Sequence, residues 1–114
     1  MNITINLLEE AQEFVEGQPQ KVREKILKNM RLIEGGVKKK ELLEKLGNTD
    51  IWELRTHYGN NAYRLLSFWD TDENTLIIAT HGFQKKTNKT PKKEIEKAQS
   101  IRKDYFCTKE NQQQ

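Results

Sequence analysis

The sequence predicts an α+β domain in which two N-terminal helices are followed by an antiparallel run of strands and a last helix. Three observations carry that prediction. Apolar residues recur every three to four positions through the first third, the period switches to two at Ile51, and Thr90-Pro91 opens a new helical stripe near the end. A period of 3.6 marks one face of a helix and a period of two marks one face of a strand.

Leu7, Leu8, Ala11, Phe14 and Val15 form the first helical series, and Val22, Ile26, Leu27, Met30 and Ile33 form the second. Gly17-Gln18-Pro19 separates them as a tight turn. Gly35-Gly36 ends the second helix, because glycine takes up the left-handed backbone of helix termini without a Cβ clash. Ahead of these helices, Met1 to Asn6 carries β-branched residues and reads as no more than a short edge strand. Residues 37–49 read as a connection with a helical turn that packs Leu42, Leu43 and Leu46. From there Trp52, Leu54, Thr56 and Tyr58 share one strand face, and Ile51, Glu53, Arg55 and His57 share the other. Gly59-Asn60-Asn61 is turn chemistry, Ala62 to Trp69 is the returning strand, and Thr75 to Phe83 is a third strand after a polar turn at residues 70–74. Thr90 suits a helix cap and Pro91 the first helical position, where its missing N–H costs nothing. Ile95, Ala98, Ile101 and Tyr105 then line one face. Residues 1–106 are expected to form a single domain, and residues 107–114 a polar, disordered tail.

The chain has 114 residues, 34% hydrophobic and 32% charged, which fits one domain with a lean core and a densely charged surface. No run approaches the roughly 20 apolar residues of a membrane span. Met1 to Leu8 lacks a basic leader with a long apolar run, and Glu9 and Glu10 follow at once, so a cytoplasmic location is expected. Cys107 is the only cysteine, so neither an internal disulfide nor a cysteine-based zinc site can form within one chain. Net charge is +3, but Lys85 to Lys103 holds eight basic residues against two acidic ones. Such a segment suits a polyanion or an acidic partner; it equally suits a solvated helix surface.

No glycine-rich phosphate loop, Walker motif or HExxH announces a site. What stands out is Arg55, Arg64 and His81 within strands. A strand arginine is costly to bury alone, so it reaches solvent, pairs with a carboxylate such as Glu53, or meets an anionic ligand. Arg55 and Arg64 on adjacent strands, with Lys85 and Lys86 leaving the third, form a cation cluster that a phosphate would neutralise. His81 titrates near neutral pH and can exchange a proton, although a strand histidine also serves as a packing residue. Aromatic side chains including Phe83 can stack on bases, but most are needed for the core.

These residues have a family likeness. Trp52-Glu-Leu-Arg55, Tyr63-Arg-Leu-Leu66, His81-Gly-Phe-Gln-Lys-Lys-Thr87 and Thr90-Pro-Lys-Lys-Glu-Ile95 with Ala98 resemble the RelE/ParE toxin superfamily, and within it the HigB-like, phage-derived branch. The resemblance spans roughly residues 5–106. It implies two N-terminal helices packed on a three- to four-stranded antiparallel sheet, with a C-terminal helix that an antitoxin can cover. It also implies the toxin of a type II toxin–antitoxin system, a ribosome-dependent mRNA endoribonuclease that needs no metal or other cofactor. The expected partners are a helix-turn-helix antitoxin, the ribosome and mRNA, with no membrane. By matching position, Arg55, Arg64, His81 and Lys85 would be catalytic, and Lys86, Lys89 and Phe83 would bind RNA. The best-known RelE pattern has a tyrosine near the third strand's end where this chain has Phe83, which stacks but moves no proton. Two other readings stay open: a ParE-like gyrase inhibitor on the same fold, and a degenerate module that only binds RNA or antitoxin.

Overall fold

A computed structural model describes residues 3–78, 83–85 and 89–112. The elements run β1 (Thr4–Leu7), α1 (Glu9–Glu16), α2 (Gln20–Glu34), β2 (Leu43–Lys45), β3 (Trp52–Tyr58), β4 (Asn61–Asp70), β5 (Thr75–Ile78), β6 (Phe83–Lys85) and α3 (Lys92–Gln112). Among the described residues six strands form one sheet in the order β1-β5-β4-β3-β2, with β6 also paired to β4.

The β3–β4 hairpin is its centre. Tyr58 pairs with Asn61 and Trp52 with Ser67, and Gly59 turns the chain at φ +61°, where a Cβ would be strained. The alternation expected for Trp52–Tyr58 then sorts two cores. On one face Leu54, Tyr63, Leu65 and Leu76 are buried against Ala11, Val15, Val22, Ile26, Met30 and Ile33 of α1 and α2. On the other, Ile51, Leu66 and Phe68 are buried with Ala98, and Ile95, Ile101, Tyr105 and Phe106 of α3 pack against them. Helices on both faces give the hairpin three layers. One polar tie crosses the first core, where Asn29 Nδ2 donates to Thr56 Oγ1 at 3.2 Å and to the Arg55 carbonyl at 3.3 Å.

Three expectations change. The sheet has more strands than three or four and is not wholly antiparallel, because β1 lies parallel to β5 with Thr4 opposite Thr75. Ile5 and Leu7 of β1 pack on the helical core, so tertiary contact holds a four-residue strand that its own propensity would not. Residues 37–49 contain a strand as well as a turn: Leu42 and Leu43 both donate to the Lys39 carbonyl, and β2 then pairs with β3, Leu43 opposite Leu54. That pairing gives the backbone groups along β3's outer edge their partners. Finally, residues 107–112 continue α3 instead of fraying, since Lys109 reaches back 2.7 Å to the buried Asp70. Among the described residues no helix is long and apolar enough to cross a membrane.

Candidate functional site: two strand arginines around a buried glutamate

Arg55 on β3 and Arg64 on β4 stand directly opposite each other, on the face that α3 covers. Like charges in that position repel. Glu53, two residues before Arg55 on the same face and 0% exposed, lies between them. Its Oε1 accepts a hydrogen bond from Arg55 Nε at 3.0 Å and lies 3.2 Å from Arg64 Nε. Its Oε2 accepts from the hydroxyl of Thr90, itself buried just ahead of α3. Sequence reasoning named Glu53 only as a possible pairing partner and assigned Thr90 to the helix cap; the register makes both of them neighbours of the arginines.

The two arginines are held differently. Arg55 Nη1 donates to Glu44 at 2.9 Å and to the Lys40 carbonyl at 3.0 Å, so its guanidinium is fixed from three directions. Arg64 has only 10% of its side chain exposed, and its Nε and Nη1 have no hydrogen-bond acceptor among the described residues. Burial lowers the affinity of this guanidinium for its proton, Glu53 raises it and Arg55 lowers it, with a net fall below the ordinary arginine value. Buried donors without an acceptor cost about 1–3 kcal/mol, which an incoming anion would recover. Both atoms are covered, so an anion would reach them only after neighbouring groups shifted.

Phe83 is opposite Arg64 in the β4–β6 register, is half-buried, and packs on the α3-side core, so only part of its ring is open for stacking. Lys85 pairs with Ala62, two positions further along β6. Lys89 is exposed, and with Arg55, Thr90 and Asn48 it lines a cavity of about 370 Å³ walled by Leu46 and Ile95. His81 and Lys86 lie outside the described residues. The structure thus brings Arg55, Arg64 and Phe83 onto one sheet face and Lys89 to its rim.

The basic segment is partly engaged within the molecule. Lys97 sits 2.9 Å from Glu10 of α1, and Arg102 lies 3.7 Å from Asp50 with its guanidinium 5.2 Å from the Phe106 ring. Both residues tie α3 to the rest of the fold. Lys92, Lys93 and Lys103 remain exposed. No three His, Cys, Asp or Glu side chains among the described residues cluster as metal ligands.

A second polar cluster, missed in the sequence, pins the end of α3. Asp70 is 0% exposed, and its Oδ2 accepts from Tyr105 Oη at 2.7 Å and from Lys109 Nζ at 2.7 Å. Burial alone would raise the Asp70 carboxyl, but the Lys109 and Tyr105 hydrogen bonds and the Lys109 charge hold it below its ordinary value. Burial and Asp70 together push Tyr105 up to about 12. A carboxylate at a strand end and a tyrosine–lysine pair four apart on a helix were the only signals available.

Comparison with known proteins agrees with this fold. Residues 13–103 match the family described as phage derived protein Gp49-like (DUF891). The fold is similar to that of a mutant E. coli toxin RelE solved in the free state, with a TM-score of 0.54 at 16% identity over 70% of this chain and 81% of that one. No curated protein matches the chain. With α2, every strand from β2 to β6 and the first half of α3 inside the match, the chain belongs to the phage-derived Gp49-like family.

Proposed function

We propose that this protein is the toxin of a type II toxin–antitoxin pair and acts in the cytoplasm as a ribosome-dependent endoribonuclease. The observation that carries this reading is Arg64, a buried guanidinium with unsatisfied donors beside a second arginine. In a site closed to water such donors stabilise developing negative charge far more than they would in solution. The reaction that suits them is attack of an RNA 2′-hydroxyl on the adjacent phosphate. A base takes the hydroxyl proton, the phosphorane's charge falls to Arg64 and Arg55, and an acid protonates the departing 5′-oxygen. The products are a 2′,3′-cyclic phosphate and a 5′-hydroxyl, and the RNA supplies its own nucleophile, so no metal-bound water is needed. His81 is the proton-transfer candidate, Lys85 joins the arginines at the phosphate, Lys86 and Lys89 hold the RNA backbone, and Phe83 stacks on a base. A helix-turn-helix antitoxin would hold the protein inactive.

The test uses purified protein and ribosomes programmed with a defined mRNA, with the new ends mapped chemically. Fragments carrying cyclic phosphate and matching 5′-hydroxyl ends are expected. Intact mRNA together with altered DNA supercoiling would sink this reading in favour of a gyrase poison.

The basic segment gives a separate prediction. Binding to ribosome-held mRNA should weaken as salt rises, with a log–log slope of roughly −0.7 per neutralised phosphate on a single strand. Replacing Lys85 and Lys86 together should flatten that slope by about 1 to 1.5. Replacing Lys97 and Arg102 should alter it less, because both are engaged with carboxylates of the protein. Equal slopes for wild type and the Lys85/Lys86 double variant would return the segment to ordinary solvated charge.

A further inference from the structure

We propose that Glu53 is a positioning residue of this site: its carboxylate braces Arg55 by a hydrogen bond and balances the charge of Arg64 without occupying the donors that Arg64 offers to phosphate. The inference rests on the RNA-cleaving reading and names a residue on which that site depends.

A glutamate in mid-strand with 0% exposure calls for an explanation, because desolvating a carboxylate is unfavourable and apolar residues of similar volume often serve stability as well. The geometry supplies one. Oε1 is 3.0 Å from Arg55 Nε in a formed hydrogen bond and 3.2 Å from Arg64 Nε, which is left without hydrogen-bond alignment. Oε2 is held by Thr90, so the carboxylate is gripped at both oxygens, from β3 itself and from the segment that enters α3. Arg55 has Glu44 and the Lys40 carbonyl as further supports. For Arg64, Glu53 is the one carboxylate within ion-pair distance among the described residues. Loss of the Glu53 charge therefore falls mainly on Arg64, which faces Arg55 across the strand pair and would move away from it. A displacement of about 1 Å at a reacting phosphate can cost 10²-fold in rate.

The experiment compares wild type, Glu53→Gln, Thr90→Val and Thr90→Ser. Each is checked for folding by thermal unfolding, then assayed for kcat and KM on programmed ribosomes. In parallel, the Arg64 Nε–H resonance is followed by NMR during titration with inorganic phosphate. Glu53→Gln is expected to lower kcat about 10- to 100-fold while KM stays within about threefold, since alignment in the transition state is lost and substrate binding is not. Its Arg64 resonance should no longer respond to phosphate as the wild type's does. Thr90→Val should move both readouts the same way by less, and Thr90→Ser should restore them. A folded Glu53→Gln variant with wild-type kcat and an unchanged phosphate response overturns the proposal. Should Glu53→Gln fail to fold, the Thr90 pair decides, and a Thr90→Val variant identical to wild type in both readouts overturns it. If wild type cleaves no RNA yet its phosphate response needs Glu53, the cleavage reading falls and the positioning role stands.

Discussion

Arg64→Ala is expected to lower cleavage of ribosome-bound mRNA by about 10²–10³, the usual loss on removing one aligned donor to developing oxyanion charge. Growth arrest on induction should weaken with it. The fold should survive with some loss of stability, because the ion pair of Arg64 with buried Glu53 and the packing of a side chain only 10% exposed are removed. The strand backbone pairing is untouched, and Glu53 keeps its partners Arg55 and Thr90. Arg64→Lys should recover only part of the rate, because an ammonium carries the charge but lacks the planar fork that meets a phosphate with two parallel bonds. Arg55→Ala is a different perturbation: it breaks ties to Glu53, Glu44 and the Lys40 carbonyl, so it should cost stability as well as rate. The measurements are initial rates on programmed ribosomes and thermal unfolding midpoints for each variant. Unfolding of Arg64→Ala alongside full toxicity of a folded Arg55→Ala would make these arginines structural and the site misplaced.

The elements legible in the sequence are those whose own pattern decides them. α1, α2 and the β3–β4 hairpin have long apolar periods bounded by Gly17, Gly35 and Gly59, and the structure places them at Glu9–Glu16, Gln20–Glu34 and Trp52–Asp70. The elements that sequence reasoning left vague or misjudged are short or polar, and partners far along the chain decide them. β1 and β2 have four and three residues, too few for a period to emerge, and each exists because a sheet edge was open beside it. The end of α3 has the composition of a disordered tail; its anchor is Asp70, 39 residues away.

The site divides in the same way. Arg55 and Arg64 were visible because arginine is out of place in a strand, and a hairpin turn at Gly59-Asn60 sets their register against each other. Glu53 was legible only as a residue two positions from Arg55. Its role depends on the cross-strand neighbour and on Thr90, 37 residues later, and neither distance is encoded in local spacing. The basic stretch from Lys85 to Lys103 does not act as one unit. Its charge count suited a polyanion or a solvated surface alike, whereas Lys97 and Arg102 have acidic neighbours on α1 and before β3. Counting charges along a chain cannot distinguish a docking surface from an internal clamp.

Asp70→Ala should destabilise the protein by at least about 3 kcal/mol, because it removes two hydrogen bonds to a buried carboxylate, and bonds to charged groups contribute about 1.5–3 kcal/mol each. For a chain of this size that is a large share of the total stability. Asp70→Asn should cost less, since its carbonyl can still accept from Tyr105, but the attraction to Lys109 goes. The pH dependence carries the more specific signature. The folded-state value of Asp70 lies below its ordinary one, so its contribution is present above about pH 4 and is lost as pH falls through the folded value. Tyr105 is raised to about 12, so its contribution is complete below about pH 10 and disappears as pH rises from 10 to 12. Lys109, raised by the same carboxylate, acts in the alkaline direction too. Stability measured by denaturant titration should therefore decline at both extremes in wild type. In Asp70→Ala the acid decline should shrink by the Asp70 share, and the alkaline decline should narrow without vanishing, because burial, the first cause of the Tyr105 shift, remains. Amide exchange should report which part of the fold loosens. Residues 105–112 of α3 should lose protection well before the β3–β4 hairpin, whose cores on both faces do not include the Asp70 carboxylate. Uniform loss of protection across hairpin and helix would mean that Asp70 supports the whole domain and not the docking of its last helix.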